Sequence, residues 1–194
     1  MEDIATKLGS SGLCIVPHFL SSALIQALLI DLKHVKKAGN FTRAGTGQGN
    51  TREVRNLIRR DEIFWLDEVM ANLVQQQLWD KINALKQAFN RMLFLGLSEF
   101  EGHYASYPKG GFYKKHLDSF QADPSRVVSL IIYLNQSWQA KDGGLLRVYA
   151  NGRSTDIEPL AGTLVCFLSH ELVHEVLLSH KTRLSFSGWF KSLA

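Results

Sequence analysis

The sequence predicts an α+β fold, with helices gathered in the first half and an antiparallel β-sandwich or barrel in the second. Two observations carry this. Before Gly96 the apolar residues recur at helical spacing. After about Phe100, short β-prone runs alternate with turn residues at close intervals, the rhythm of a closed or doubled sheet. The length of 194 residues fits one domain spanning 1–194, with 1–98 as mainly helical support and 99–194 as the β core. Hydrophobic content of 45% against 21% charged residues is enough to bury that core.

In chain order, residues 13–19 form a short β-prone run closed by Pro17. Ser21 or Ser22 then caps a helix whose apolar face is Leu24, Ile25, Leu28, Leu29, Leu32 and Val35, ended by Gly39 and Asn40. Residues 42–51 are rich in Gly and Thr, with glycines at 45, 47 and 49, and read equally as a plain loop or a mobile binding loop. From Ile63 to Leu95 the spacing predicts one short and one long helix, burying Trp65, Val69, Leu73, Leu78, Ile82, Leu85, Phe89 and Leu93. Strands are expected over 127–134, 145–149, 162–168, 173–178 and 183–190. Phe112, Phe120, Phe167 and Phe186 read as core, and Gly143-Gly144 as a tight turn without a catalytic role.

The net charge of +4 is spread among acids rather than clustered with aromatics, so no nucleic-acid partner is expected. Cys14 and Cys166 each sit among apolar neighbours and read as buried thiols, which makes a cytoplasmic location the default. No basic-then-apolar leader opens the chain, and no run reaches the length of a membrane span.

The chemistry lies in Tyr113-Lys-Lys-His116-Leu-Asp118. Strand residues two apart share a face, so His116 and Asp118 can aim into one interior, where His174 can join them. Two imidazoles and a carboxylate on one face of an octahedron leave three positions open, which suits non-haem Fe(II) binding a cosubstrate and O2. Arg183, nine residues after His174 in an apolar strand, is costly to bury unless it meets an anion, and the carboxylate of 2-oxoglutarate is such an anion. A zinc pair from His170 and His174 would need a helix and a His-Glu-x-x-His pattern, neither of which is found. His103 reads as a surface or hydrogen-bonded core residue, and Glu175 as a structural group facing away from His174.

From Tyr104 onward the chain resembles the prolyl-hydroxylase branch of the 2-oxoglutarate oxygenases, the hypoxia-inducible-factor prolyl hydroxylases and their bacterial relatives. The matching stretches are Tyr107-Pro108, the run from Gly110 to Asp118, Arg126 to Trp138, Gly143-Gly144-Leu-Leu-Arg147, Asp156 to Pro159, His174-Glu-Val176, Thr182-Arg183 and Trp189. Upstream the likeness continues from Ile58 through Arg59 and Asp61 to Trp65. The resemblance implies a double-stranded β-helix, a cupin-like jelly roll, with His116, Asp118 and His174 as iron ligands. It implies Arg183 and Tyr133 on the C5 carboxylate of 2-oxoglutarate, and Tyr107 near the same cosubstrate. Tyr113 and Trp189 would line the iron chamber, Arg126 would meet the substrate, and Arg59 and Asp61 would belong to a mobile loop over 42–65 that folds across it. Fe(II), 2-oxoglutarate and O2 are the implied cofactors, with ascorbate as an accessory reductant. Oxidative decarboxylation to succinate and CO2 would drive hydroxylation of a prolyl residue in a protein partner, by a monomeric enzyme. A translation factor, a ribosomal protein and a transcription factor all fit as that partner, and direct use of O2 is compatible with oxygen sensing. The competing readings are an oxygenase of a free amino acid or small molecule, a metal-dependent hydrolase, and a non-catalytic cupin-type binding module.

Overall fold

A computed structural model of the chain describes residues 1–45, 57–119, 125–150 and 152–193. The glycine-rich expectation over 46–51, the rest of the loop through residue 56, and Phe120 lie outside the described residues.

Among the described residues three α-helices form, two of them where an apolar face follows a side-chain N-cap. α1 (Glu2–Ser11) is a helix without a clear sequence signal, because it buries only Ile4, Ala5 and Leu8, and it ends on left-handed Gly12. α2 (Ser22–Lys37) begins at Ser21, whose Oγ accepts from the Leu24 amide at 3.3 Å, and buries all six residues expected of it. α3 (Leu73–Leu93) starts in a capping box: the Asn72 side chain accepts from the Val74 and Gln75 amides, and Gln75 accepts from the Asn72 amide. It buries Leu78, Ile82, Leu85 and Phe89, while Leu93 is half-buried.

The short helix expected from Ile63 is instead a strand. Residues Glu62–Leu66 pair with 102–106 of a neighbouring strand, and that tertiary pairing overrides a run too short to decide its own period. Trp65 and Val69, assigned to a buried helix face, are consequently 41% and 91% exposed, and Leu73, at the first position of α3, is 79% exposed.

The strands are β1 (Leu13–Val16), β2 (Thr42–Arg43), β3 (Glu62–Leu66), β4 (Leu97–Tyr107), β5 (Tyr113–His116), β6 (Arg126–Tyr133), β7 (Leu146–Ala150), β8 (Arg153–Ile157), β9 (Leu164–Leu168), β10 (Val173–Val176) and β11 (Arg183–Ser192). They make a seven-stranded sheet in the order β1-β9-β6-β11-β4-β3-β2 and a four-stranded sheet in the order β5-β10-β7-β8. Between β4 and β11 the chain crosses repeatedly from one sheet to the other, which is the winding of a double-stranded β-helix. The segment before residue 98, expected as mainly helical, also supplies β1, β2 and β3 to the larger sheet.

Strand parity then sorts the residues. Val128, Leu130 and Ile132 of β6 and Phe186 and Phe190 of β11 join one buried cluster with the helices, on the outside of the large sheet. Tyr133, Ala105, Tyr107, Val165 and Phe167 join a second cluster with Leu146, Val148 and Val176 of the small sheet, between the layers. Fully burying a Phe side chain contributes about 1.5–3 kcal/mol, so β11 alone anchors the helical layer firmly. Gly102 and Gly188 are register partners on β4 and β11, and a Cβ on Gly102 would lie 2.6 Å from the Phe186 ring. The glycine pair makes room for Phe100, Phe186 and Phe190 to pack across the sheet.

Candidate active site

The antiparallel register of β5 and β10 sets His116 directly opposite His174, and Asp118 follows β5 by two residues. The ligating atoms of all three lie within 4.8 Å of one another. His116 Nε2 is 3.4 Å from Asp118 Oδ1, and His174 Nε2 is 3.6 Å from Asp118 Oδ2. Two donors bound at right angles to one ion at about 2.1 Å stand about 3 Å apart, so the cluster fits a metal with little adjustment.

The protonation pattern favours the same fit. His116 Nδ1 lies 2.7 Å from the Lys114 carbonyl and His174 Nδ1 3.0 Å from the Leu172 carbonyl. A carbonyl only accepts, so each Nδ1 carries the proton and each Nε2 presents its lone pair to the cluster. Burial lowers the His174 pKa despite the nearby Asp118 carboxylate, which keeps the imidazole neutral. Burial would raise the Asp118 pKa, but in the acid range where this carboxyl titrates the two neighbouring rings, as imidazolium, and the Ser129 hydroxyl hold it well below the usual carboxylate range.

The rings are fixed from outside. Tyr113 stacks on His116 with centroids 3.6 Å apart and an interplanar angle of 18°. The Arg59 guanidinium carbon lies over the Tyr113 ring at 4.3 Å, and the side chain is gripped by Asp61 through bonds of 2.7 and 2.6 Å. Tyr113, expected to line the iron chamber, therefore also braces a member of the cluster, and burial pushes its phenol up to about 12. Phe167, assigned to the core, meets the His174 ring edge-on at 4.7 Å as well. Glu175 faces away as expected and accepts from the Tyr149 hydroxyl.

Arg183 is 1% exposed at the start of β11, on the same interior face as Tyr107 and Tyr133, whose rings each lie 5.0 Å from its guanidinium carbon. Its Nε donates to the Gly144 carbonyl at 2.9 Å, but its Nη2 and the Tyr133 hydroxyl have no hydrogen-bond partner. A buried cation with an unused donor costs several kcal/mol (~3–5 when its partner is missing), and an anion between these two groups would recover it. The donor set thus fits the distal carboxylate of a 2-oxo acid. Gly144, read as part of a plain turn, is what admits Arg183: its φ is +64°, and a Cβ there would sit 2.8 Å from Ser179 Oγ and 3.1 Å from Arg183 Cδ.

Toward the mouth, Trp189 is covered by the Arg126 guanidinium at 3.6 Å, and Arg126 is held by Glu101 at 2.8 Å. His103 packs on both Trp65 (4.8 Å) and Trp189 (5.5 Å), whose rings lie 6.3 Å from each other, so the three form an aromatic cluster that a helical Trp65 would not make. The pairing of Trp65 with His103 across β3 and β4 is the signal that only the fold supplies. A cleft of about 310 Å³ opens nearby, lined by Arg43, Ala44, Arg59, Arg60, Asp61 and Pro108. His170 is exposed beside Glu171 and takes no part in the cluster.

A two-histidine, one-carboxylate cluster between the sheets of a double-stranded β-helix defines the class, and residues 102–191 match the 2OG-Fe(II) oxygenase superfamily. The chain belongs to that superfamily, whose members use Fe(II), 2-oxoglutarate and O2. It is 40% identical to a crystallised prolyl-4-hydroxylase of Pseudomonas putida, with a TM-score of 0.90 and coverage of 100% of both chains. A prolyl hydroxylase of Trichoplax adhaerens, solved with a peptide fragment of the hypoxia inducible factor oxygen degradation domain, is 26% identical with a TM-score of 0.88, covering 97% of this chain and 87% of that one. Mouse prolyl hydroxylase EGLN3 is 27% identical over 98% of this chain and 82% of its own length. No helix among the described residues is long and apolar enough to cross a membrane.

Proposed function

We propose that this chain is a prolyl hydroxylase of a protein or peptide partner, dependent on Fe(II) and 2-oxoglutarate and releasing succinate and CO2. One observation carries the reading: an open His116, Asp118 and His174 cluster shares its interior with a buried Arg183 whose Nη2, like the Tyr133 hydroxyl, lacks a partner. When bound, Fe(II) supplies the activation of O2, coupled to decarboxylation of the 2-oxo acid, that no side chain can perform.

The chain's own residues bind and orient. His116 and His174 offer neutral Nε2 atoms and Asp118 a carboxylate oxygen to the metal. Arg183 and Tyr133 grip the C5 carboxylate of 2-oxoglutarate, with Tyr107 packed against the guanidinium. The prolyl ring, apolar and rich in C–H bonds, lies against Trp189 and Trp65, while Arg126 meets the adjoining peptide. Tyr113, Arg59 and Asp61 close the wall between the cluster and the cleft lined by Arg43 and Pro108, and exclude water from the reacting face. In this reading the enzyme is a cytoplasmic monomer, with ascorbate as accessory reductant. Its free, buried Cys14 and Cys166 accord with a reducing compartment. The peptide-bound relative supports a macromolecular substrate over a free amino acid.

Incubation of the protein with Fe(II), 2-oxoglutarate and proline-containing peptides tests this, read as succinate release and one added oxygen on proline by mass spectrometry. His174→Ala and Arg183→Ala are expected to abolish both products. Succinate release and oxidised peptide that persist in both variants would refute the assignment.

A further inference from the structure

Six positions surround an octahedral ion. Two imidazoles and one carboxylate oxygen fill three, leaving two for a chelating 2-oxo acid and one for O2. The count fails if Asp118 coordinates through both of its oxygens, as carboxylates readily do on other ions. In this structure the second oxygen is already engaged. Ser129 Oγ donates to Asp118 Oδ2 at 2.7 Å, and Ser129 Oγ lies 2.9 Å from Ser169 Oγ.

The direction of this chain of bonds follows from the donor inventory. An ionised carboxylate only accepts, so the single proton of Ser129 points at Asp118, and Ser169 must give its own proton to Ser129. Both serines are buried, at 1% and 0% exposure, so bulk water does not compete for these bonds. Ser169 is itself fixed: its amide donates to the Val127 carbonyl at 3.0 Å, and its carbonyl accepts from the Ser119 amide at 3.3 Å. Those contacts tie it both to the strand that carries Ser129 and to the residue following Asp118. Ser129 shares the interior face of the large sheet with its register partners Trp189 and Phe167.

We propose that Ser129, oriented by Ser169, is a positioning residue that holds Asp118 to coordination through one oxygen and so keeps the sixth metal position open for O2. The proposal rests on His116, Asp118 and His174 being the metal ligands. A hydroxyl bonded to Oδ2 competes with the metal for that oxygen, and its partner Ser169 prevents it from rotating away. Neither serine acts on substrate; their effect passes through Asp118.

The test is water-proton relaxation of the full-length protein loaded with Mn(II), which accepts the same nitrogen and oxygen donors and reports the number of exchanging waters on the ion. Counting open octahedral positions, Ser129→Ala should lower relaxation per bound Mn(II) by about one third without 2-oxoglutarate, and by nearly all with it. Ser129→Thr keeps the hydroxyl and should restore wild-type values. Ser169→Ala leaves the Ser129 bond but loosens it, and should give an intermediate loss. Equal relaxation per bound Mn(II) in wild type and Ser129→Ala overturns the proposal. If Ser129→Ala does not fold, Ser169→Ala decides: a loss supports the proposal and no change overturns it. Failure of the underlying ligand assignment is distinct, because Mn(II) would then bind His174→Ala as tightly as wild type.

Discussion

Replacing Arg183 by Met separates what this residue does for the fold from what it does for the cosubstrate. In the protein alone Arg183 makes a hydrogen bond from Nε to Gly144, while Nη2 has no partner and the side chain is 1% exposed. Losing the bond to Gly144 costs about 0.5–1.5 kcal/mol, and relieving a buried, incompletely paired cation offsets it, so the variant's stability without ligand should stay close to wild type. Binding is different. Removing the cation from a buried ion pair with a carboxylate costs about 3–5 kcal/mol, a loss in affinity of about 10²–10⁴-fold. At 2-oxoglutarate a hundredfold above the wild-type Kd, the ligand contributes about 2.7 kcal/mol of stability, which for a chain of this size raises Tm by about 5–11 °C. Anaerobic thermal melts with Fe(II), with and without 2-oxoglutarate, should show that rise in wild type and almost none in Arg183→Met. A variant whose Tm climbs as far as wild type would refute the placement of the carboxylate. A variant already unstable without ligand would refute the argument that the cation is poorly satisfied by the protein alone.

Other outcomes follow from the same geometry. His174 has its folded-state pKa lowered by burial, so the unfolded chain binds the extra proton; stability of the metal-free protein should fall as pH drops through about 6.5, and His174→Gln should flatten that slope in melts from pH 8 to 5.5. Gly144→Ala places a side chain at φ +64° against Ser179 and Arg183, and should cost about 1–3 kcal/mol in urea unfolding and weaken 2-oxoglutarate binding as well. Trp65→Ala should cost about 1–3 kcal/mol of stability through the lost packing on His103 and Trp189, leave 2-oxoglutarate affinity nearly unchanged, and raise KM for the peptide; an unchanged KM would remove Trp65 from the substrate contacts. The Cys14 thiol is lowered to about 7 by its hydrogen bond with Cys166, its register partner. Burial nevertheless should keep both cysteines unreactive toward a thiol reagent until the protein is unfolded in guanidinium, where both should react.

What could be read in the sequence was what short-range periodicity controls. The two-residue spacing of His116 and Asp118 pointed to two members of the cluster although the strand itself ends at His116, His174 stood out as a further candidate ligand in a β-rich run, and Arg183 followed from the cost of burying a cation there. The helix from Ser22 was legible because its cap and six apolar positions agree. Glu62–Leu66 was not, because five residues satisfy either period and the choice is made by pairing with β4, over thirty positions away in the chain. The same non-locality hid the cluster of Trp65, His103 and Trp189, and the serines behind Asp118: nothing near Ser129 in sequence marks it, and its bond to Asp118 exists only once β5 and β6 sit in facing sheets. Gly143-Gly144 looked like any tight turn, since the role of Gly144 depends on where Arg183 enters.

β11 separates two kinds of demand along one backbone. Arg183, Ser185, Ser187 and Trp189 look inward to the reacting space, while Phe186 and Phe190 look outward to the helices. Substitutions at Ser185, Ser187 and Trp189 can therefore retune what the enzyme accepts without loosening the layer that keeps it folded, while Arg183 stays fixed by the cosubstrate. The converse is a severe intolerance of length change: deleting or inserting one residue within this strand would exchange the two sets wholesale, carrying greasy rings into the catalytic space and a guanidinium into the helical layer. Variation among relatives should accordingly appear in β11 as replacement at inward sites and almost never as a gap.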